Sequence, residues 1–390
     1  MYDKKIVEQA KAVHLETYGT EPTTVAYAPG RIEVLGNHTD YNEGTVLSAA
    51  INMGHCFCIS ASGKPGVRLT AGDIPQTTEF DPSTDERLPK NVQWANYVKG
   101  VMFYLRDHGV EIDSVDCTFL GSIPMGSGLS SSAALEVATA FAVLGYTGQE
   151  LDPKEVAKIG QKSEHEFAGC SCGLLDQFSS IFGVHHGLIH SDFRTLETYP
   201  VQLSDDVVFL MVNPHVKHAL AESPYNARRE SCEKAAAELN ALADHPIKAL
   251  RDISWEEFQS LKGKIDPEAA QRATHVVGEI TRVEQGVKLL ADGKIEAFGQ
   301  FLFDSHETSR TAFENSSKEL DIVVEAAREA GALGARLSGG GWGGSAVALV
   351  RASEADAICE KIIELCKQQG FEPTAETIIP SAGAILVESP

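Results

Sequence analysis

"PMGSGLSSSAALEVATAFAVLGY", Pro124 to Tyr146, joins a glycine turn, a run of serines and a stretch of strong helix formers. Gly126 and Gly128, on either side of Ser127, let backbone come close to a ligand. Leu129 leads into Ser130, Ser131 and Ser132, which fall where the helix begins. A helix N-terminus carries unpaired N–H groups and a partial positive charge, which suits a phosphate. The plainer reading of these residues is a flexible loop with a serine N-cap. No G-K-[ST] occurs in the chain, so this is not the lysine-bearing P-loop. It is not the G-x-S-x-G elbow of a hydrolase either.

Around this stretch the chain has 390 residues, enough for two domains and a sizeable core. Lys and Arg number 33 against 55 Asp and Glu, a net charge of −22. That balance argues against nonspecific nucleic-acid or anionic-membrane binding, which wants a basic surface. It leaves room for a phosphate held locally by backbone N–H groups. The start, "MYDKKIVEQAKAVHLE", has no apolar signal core, and no window reaches the eighteen or so apolar residues of a membrane span. The eight cysteines include "CFC" and "CSC" but no CxxC pair, and read as reduced thiols of a cytoplasmic protein rather than zinc ligands.

Periodicity predicts helices over about 4–18, through "WANYVKGVMFYL", after the serine run, and at about 224–243, 267–290 and 317–331. Asp152 and Pro153 open another helix as N-cap and first residue. Residues 45–60, "VDCTFL", "VVFLMVN" and "GAILVE" read as strands, and "GARLSGGGWGGSAVALV" as strand, glycine loop, strand. Strands and helices mix without βαβ alternation, which points to an α+β fold. The character changes near residues 195–205, the expected boundary between 1–200 and 201–390. No internal repeat is visible.

Four further segments carry chemistry. "SGGGWGGS", Ser338 to Ser345, has five glycines around one tryptophan, more than a hairpin needs, and reads as a loop approaching a ligand or the first loop's helix. Asp176 sits in the apolar stretch "CGLLDQFSSIFG", where a carboxylate wants a cationic partner; Arg31 is the candidate. Glu164 in "SEHEF", with a serine hydroxyl of the loop, would suffice for magnesium alongside a nucleotide's phosphates. "APGRIEVLGNHTDYNEGTVLSAAI", Ala28 to Ile51, gathers Arg31, Glu33, Asn37, His38, Asp40 and Glu43 just before an apolar run, as a site gripping a small polar molecule would. Each segment alone also reads as solvated loop or amphipathic helix, as does the helix opened by Tyr225.

Taken in order, "GRIEVLGNHTDYNEG", "PMGSGLSSSAA", "CGLLDQFSS", "KHALAESPYNARRESCE", "SHETSR" and "LGARLSGGGWGGSAVALV" resemble the GHMP family of small-molecule kinases, and within it the galactokinase-like members. The resemblance runs from about residue 24 to 350. It implies a two-lobed α+β fold with the active site between the lobes, and transfer of phosphate from ATP to the anomeric hydroxyl of a sugar, galactose first. Carried over by position, it implies Asp176 and Arg31 as catalytic residues and Ser132 and Glu164 as Mg2+ ligands. It also implies Gly126, Ser127, Gly128, Leu129, Ser130, Ser131 and Ser132 as the ATP loop, and Asn37, His38, Asp40, Gly173 and Tyr225 as sugar ligands. The partners implied are ATP and a small sugar, with no nucleic acid and no membrane; oligomeric state is left open, a monomer among the options.

One departure stands out. The family pattern has Glu where this chain has Asn37, and Asn where it has Glu33. A carboxylate only accepts hydrogen bonds, whereas an amide both donates and accepts and is neutral. The exchange keeps two other readings in play: a kinase of the same mechanism for a different sugar, and a non-catalytic sugar sensor. The core of the second glycine loop, "SGGGWGG", also replaces the family's usual alanine and phenylalanine.

Overall fold

The computed structural model describes residues 2–215 and 222–390. Within them the chain forms β1 (Thr24–Leu35), β2 (Thr45–Ala61), β3 (Gly66–Ala71), β4 (Gln76–Phe80), β5 (Ser114–Gly121), β6 (Gly187–Asp192), β7 (Glu197–Gln202), β8 (Val207–Asn213), β9 (Gly334–Ser338), β10 (Ser345–Arg351), β11 (Thr374–Ile378) and β12 (Ile385–Glu388). Among the described residues these make an eight-stranded sheet, ordered β12-β1-β2-β5-β3-β4 with β6 and β7 attached through β2, and a four-stranded sheet, ordered β11-β8-β10-β9. The pairings are antiparallel except β3 with β5, and helices pack against both sheets, as expected of an α+β chain. Residues 217–221 of the "KHALAESPYNARRESCE" segment lie outside the described residues.

The predicted helices appear as Lys4–Tyr18, Asn96–Leu105, Ser131–Thr147, Pro153–Ser163, Glu222–Asn240, Pro267–Ala291 and Lys318–Ala330. Asp152 caps the fourth of these by accepting from the Lys154 amide, with Pro153 at its first position. The helix Ile295–Thr308 was not visible in the sequence pattern. Neither were two π-turns, Glu164–Ala168 and Ser309–Phe313, which extend the ends of preceding helices. Such wide turns recur at functional sites because they re-aim side chains. The first carries Glu164 and the second leads to Asn315.

The chain passes from the first sheet to the second between β7 and β8, after Gln202 and before Val207. The C-terminal strand departs from a division at residue 200: β12 pairs antiparallel with β1 and so returns to the first sheet. The lobes also share a core. Ile32, Val34 and Leu35 of β1 pack with Leu47 and Ile51 of β2, Phe209 and Met211 of β8, Phe298, and Val347 and Leu349 of β10. A second cluster, including Phe57, Phe119, Val137, Phe167 and Phe178, fills the N-terminal lobe under the helices.

β1 positions the site. Every residue from Thr24 to Leu35 is buried, so both its faces are covered. Its register against β2 slips between Pro29 and Arg31 and again between Glu33 and Leu35. Irregularities of this kind turn side chains away from strict alternation. Arg31 and Glu33 sit between the two slips.

The helix Ile295–Thr308 crosses β9 at a glycine–glycine contact. A Cβ on Gly334 would lie 2.0 Å from the Gly299 carbonyl oxygen, with only backbone to give way. Gly334→Ala is therefore expected to destabilise the fold by about 1–3 kcal/mol or more. A shift of the urea unfolding midpoint to lower concentration checks this; an unchanged midpoint counts against the close approach.

Candidate active site

Arg31 is buried on β1, and Asp176 opens the helix Leu175–Phe182. The two sequence candidates meet. Arg31 Nε and Nη2 lie 2.8 and 2.7 Å from Asp176 Oδ1. Its Nη1 donates to the Gly128 carbonyl at 2.7 Å, and its backbone N–H to the Leu129 carbonyl at 3.1 Å. One cation thus ties the carboxylate to the glycine turn. Gly30 permits this approach, because a Cβ there would lie 2.5 Å from the Leu129 oxygen.

The three serines point three ways. Ser130 donates its hydroxyl to Asp176 Oδ2, Ser131 bonds His55 Nε2 at 2.8 Å, and Ser132 donates to Glu164 Oε1 at 3.1 Å. Ser130 has a left-handed backbone and makes no side-chain cap bond to the helix it precedes. Its hydroxyl is spent on Asp176, so the first N–H groups of Ser131–Thr147 are left without a side-chain cap. That favours the anion-site reading over a serine N-cap. The second glycine loop closes on the first: Ser345 Oγ donates to the Ser127 carbonyl at 2.7 Å, and Gly128 packs against the Gly344 Cα. A Cβ on Gly128 would meet that Cα at 3.3 Å.

Behind Ser132 is a group of carboxyls. Gln177 Nε2 donates to Glu136 Oε2 at 2.9 Å and to Glu164 Oε2 at 3.1 Å, one for each of its hydrogens. The Cys172 thiol also donates to Glu164 Oε2, at 3.2 Å. Burial, then the charge of Asp176, pushes the Glu164 carboxyl up. Burial, then Glu164, pushes Glu136 well up, and its Oε1 has no hydrogen-bond partner. Crowded carboxyls of this kind, with a hydroxyl oxygen beside them, are a hard oxygen donor set of the sort Mg2+ takes. Ser132 and Glu164 fit that ion.

The signature turn after β1 holds the remaining candidates. Asp40 starts a short 3-10 turn, and its Oδ2 lies 3.5 Å from the Leu175 amide. A Cβ on Gly173 would lie 1.7 Å from that oxygen, so any side chain there must displace the Asp40 carboxylate. Burial raises the Asp40 carboxyl to about 6, with Glu33 and Asp176 adding repulsion. His38 is buried with a left-handed backbone. Its Nε2–H donates to the Gly340 carbonyl at 2.9 Å, so Nδ1 accepts from the Tyr41 hydroxyl at 2.8 Å. Burial lowers its pKa to about 4, which keeps the ring neutral. Tyr225, Phe313 and Trp342 surround the ring, and Tyr225 also lines Gly340.

Asn37 is turned into the protein. Its Nδ2 donates to the Gly339 carbonyl at 2.8 Å, and its Oδ1 accepts from Asn315 at 2.9 Å. Glu33 instead meets the fully buried Arg336, at 3.0 Å. Burial pushes the Glu33 carboxyl up, against the pull of Arg336 and Arg31. Glu279 accepts from the Gly36 and Asn37 amides and from Arg282. Burial acts to raise its carboxyl too, but Arg282, His275 and Arg336 outweigh it and hold it far below the usual range. Sequence reasoning missed His55, Glu136, Gln177, Glu279, Asn315 and Arg336. Glu136, Gln177 and Arg336 lie inside the quoted segments, beside Ser132, Asp176 and the second glycine loop, while His55, Glu279 and Asn315 lie outside them; a polar residue in an apolar segment was the available signal.

The galactokinase galactose-binding signature matches residues 12–61, the GHMP kinases N terminal domain residues 96–184, and the GHMP kinases C terminal domain residues 287–368. The galactokinase of Pasteurella multocida is 37% identical over 368 residues, covering 93% of this chain and 94% of its own. The human galactokinase is 38% identical over 366 residues, covering 90% of each. The chain belongs to the galactokinase family of GHMP kinases. Lactococcus lactis galactokinase complexed with galactose superposes with a TM-score of 0.92 at 31% identity, over 97% of this chain and 99% of that one. Methanococcus jannaschii mevalonate kinase, at 17% identity and a TM-score of 0.64, shares the fold. Kinases of this family use ATP with Mg2+ as the phosphoryl donor. Among the described residues no helix is long and apolar enough to cross a membrane.

Gly173→Ala tests the fit of the signature turn. The added methyl must displace Asp40, so galactose affinity is expected to fall at least about tenfold while far-UV circular dichroism stays unchanged. Calorimetric titration with galactose measures it, and unchanged affinity would detach Asp40 from ligand binding.

Proposed function

We propose that this protein is a cytoplasmic galactokinase that transfers the γ-phosphoryl group of ATP to the anomeric hydroxyl of galactose, giving galactose 1-phosphate and ADP. The observation that carries this reading is the Asp176 carboxylate, held by Arg31 and Ser130 beside a helix N-terminus free of a side-chain cap. An anomeric hydroxyl is more acidic than an ordinary alcohol, so an ion-paired aspartate is a sufficient base. Asp176 takes the O1 proton, O1 attacks the γ-phosphorus, and the bond to the bridging oxygen breaks to release ADP. Phosphoryl transfer of this kind is mostly positioning and charge stabilisation. The N-terminus of Ser131–Thr147 and the glycine turn receive the phosphates, and Arg31 offsets the charge that develops between acceptor and donor. Ser132 and Glu164 would hold Mg2+, which neutralises phosphate charge when bound. Gln177 and Cys172 orient Glu164 by hydrogen bonds. Asp40 accepts from ring hydroxyls, and Gly173 and Tyr225 shape the wall beside it.

The test is ADP release with ATP, Mg2+ and a panel of aldoses. Turnover is expected with galactose, and Asp176→Asn should lower kcat by about 10²–10⁴-fold. Turnover on another aldose but not galactose would move the substrate and keep the mechanism. Sugar and ATP binding without any turnover would leave a sensor. The pH profile is a second check. Asp40 is protonated below about 6 and ionised above it. An ionised carboxylate accepts sugar hydroxyls better, so the KM for galactose should fall as pH rises from 5 to 7. Asp40→Asn should raise KM and abolish that slope; a slope that survives the substitution assigns it elsewhere.

A further inference from the structure

We infer that Asn37 leaves this enzyme permissive at the hydroxymethyl end of the sugar, so that it phosphorylates galactose-configured sugars in which that group is altered or missing. The inference rests on the proposed sugar site. In the proposed pose the anomeric oxygen lies at Asp176, the ring hydroxyls at Asp40, and the hydroxymethyl end toward a wall of Asn37, His38, Gly339 and Gly340; a Cβ on Gly339 would lie 3.5 Å from Arg31 Nη2, and one on Gly340 3.4 Å from Tyr225. Every acceptor on that wall already holds a hydrogen bond. Asn37 Oδ1 accepts from Asn315, and the Gly339 carbonyl from Asn37. The Gly340 carbonyl accepts from both His38 and Asn315, and His38 Nδ1 from Tyr41. A hydroxyl proton arriving there finds no charged acceptor. Sites discriminate strongly only where loss of a substrate hydroxyl strands a buried polar group, and this wall strands none. Asp40 differs, because it is a buried carboxylate held by the backbone N–H groups of Tyr41 and Leu175, and a lost sugar hydroxyl leaves that charge short of a partner.

The carboxylate that could have stood at residue 37 stands at residue 33 and faces Arg336. Charge balance explains why the two positions change together. Glu33 and Glu279 sit against Arg336 and Arg282, with Arg336 Nη1 4.0 Å from Glu279. The set carries two negative and two positive groups. A second carboxylate at 37 with Glu33 kept would leave an uncompensated buried charge. It would also set an acceptor against the Gly339 carbonyl. Exchanging both residues moves the charge without adding one.

The experiment measures kcat/KM of the full-length protein for galactose, for 6-deoxygalactose, and for L-arabinose, which is galactose without its hydroxymethyl group. The expected result is less than a tenfold preference for galactose over either analogue. The double exchange Glu33→Asn with Asn37→Glu is expected to raise that preference at least tenfold, mainly through the KM of the analogues. A wild-type preference above tenfold overturns the inference, whether or not the double variant folds. So does a folded, active double variant with an unchanged preference. Absence of galactose turnover altogether would instead count against the proposed function, so the two failures are distinct.

Discussion

The ion pair between Arg31 and Asp176 is the contact on which the site depends. It joins β1, an inner strand of the large sheet flanked by β12 and β2, to the helix Leu175–Phe182, 145 residues further along the chain. The same guanidinium fixes the Gly128 carbonyl and so sets where the glycine turn meets the helix behind it. Asp176 in turn takes the Ser130 hydroxyl, which leaves that helix without a side-chain cap. The proposed base, the glycine turn and the helix terminus are thereby held in one constellation by one buried cation. Breaking such a pair by removing one partner leaves an uncompensated charge, at a cost of several kcal/mol.

A chain of net charge −22 binding a polyphosphate poses an electrostatic problem. The answer is local. In the proposed site, positive potential at the phosphates comes from backbone N–H groups and from Arg31, not from a basic surface. The carboxyls nearby are kept apart in role by their partners. Asp176 faces Arg31, while Glu164 and Glu136 share the hydrogens of Gln177. Asp40 has no cation paired with it among the described residues and is raised by burial to about 6.

The two glycine loops show how backbone replaces side chains in such a site. Gly128 and Gly344 touch, Gly339 and Gly340 lend their carbonyls to Asn37 and His38, and Trp342 takes a left-handed conformation to donate its N–H to the Asn315 carbonyl. The signature turn, the glycine loop and the π-turn before Asn315 are bonded into one unit from both lobes. Asn37 is a strut within it. Its amide donates where a carboxylate could not, which explains in physical terms why the loop tolerates this residue here.

The sequence by itself determined the local chemistry. Glycines and serines before a helix marked the loop proposed to take the phosphates, and the segment order marked the family and the α+β class. The need of Asp176 for a cation pointed to Arg31. These features are legible because they depend on neighbours in the chain or on a single charge in apolar surroundings. Tertiary structure decided which way each polar group faces. It sent Ser130, Ser131 and Ser132 to Asp176, His55 and Glu164. It turned Asn37 to Gly339 and Asn315, and it buried Arg336 against Glu33 across 303 residues. It also returned β12 to the first sheet. No local pattern encodes these choices, because each is fixed by the requirement that buried donors, acceptors and charges find partners, and the partners lie far away in the chain.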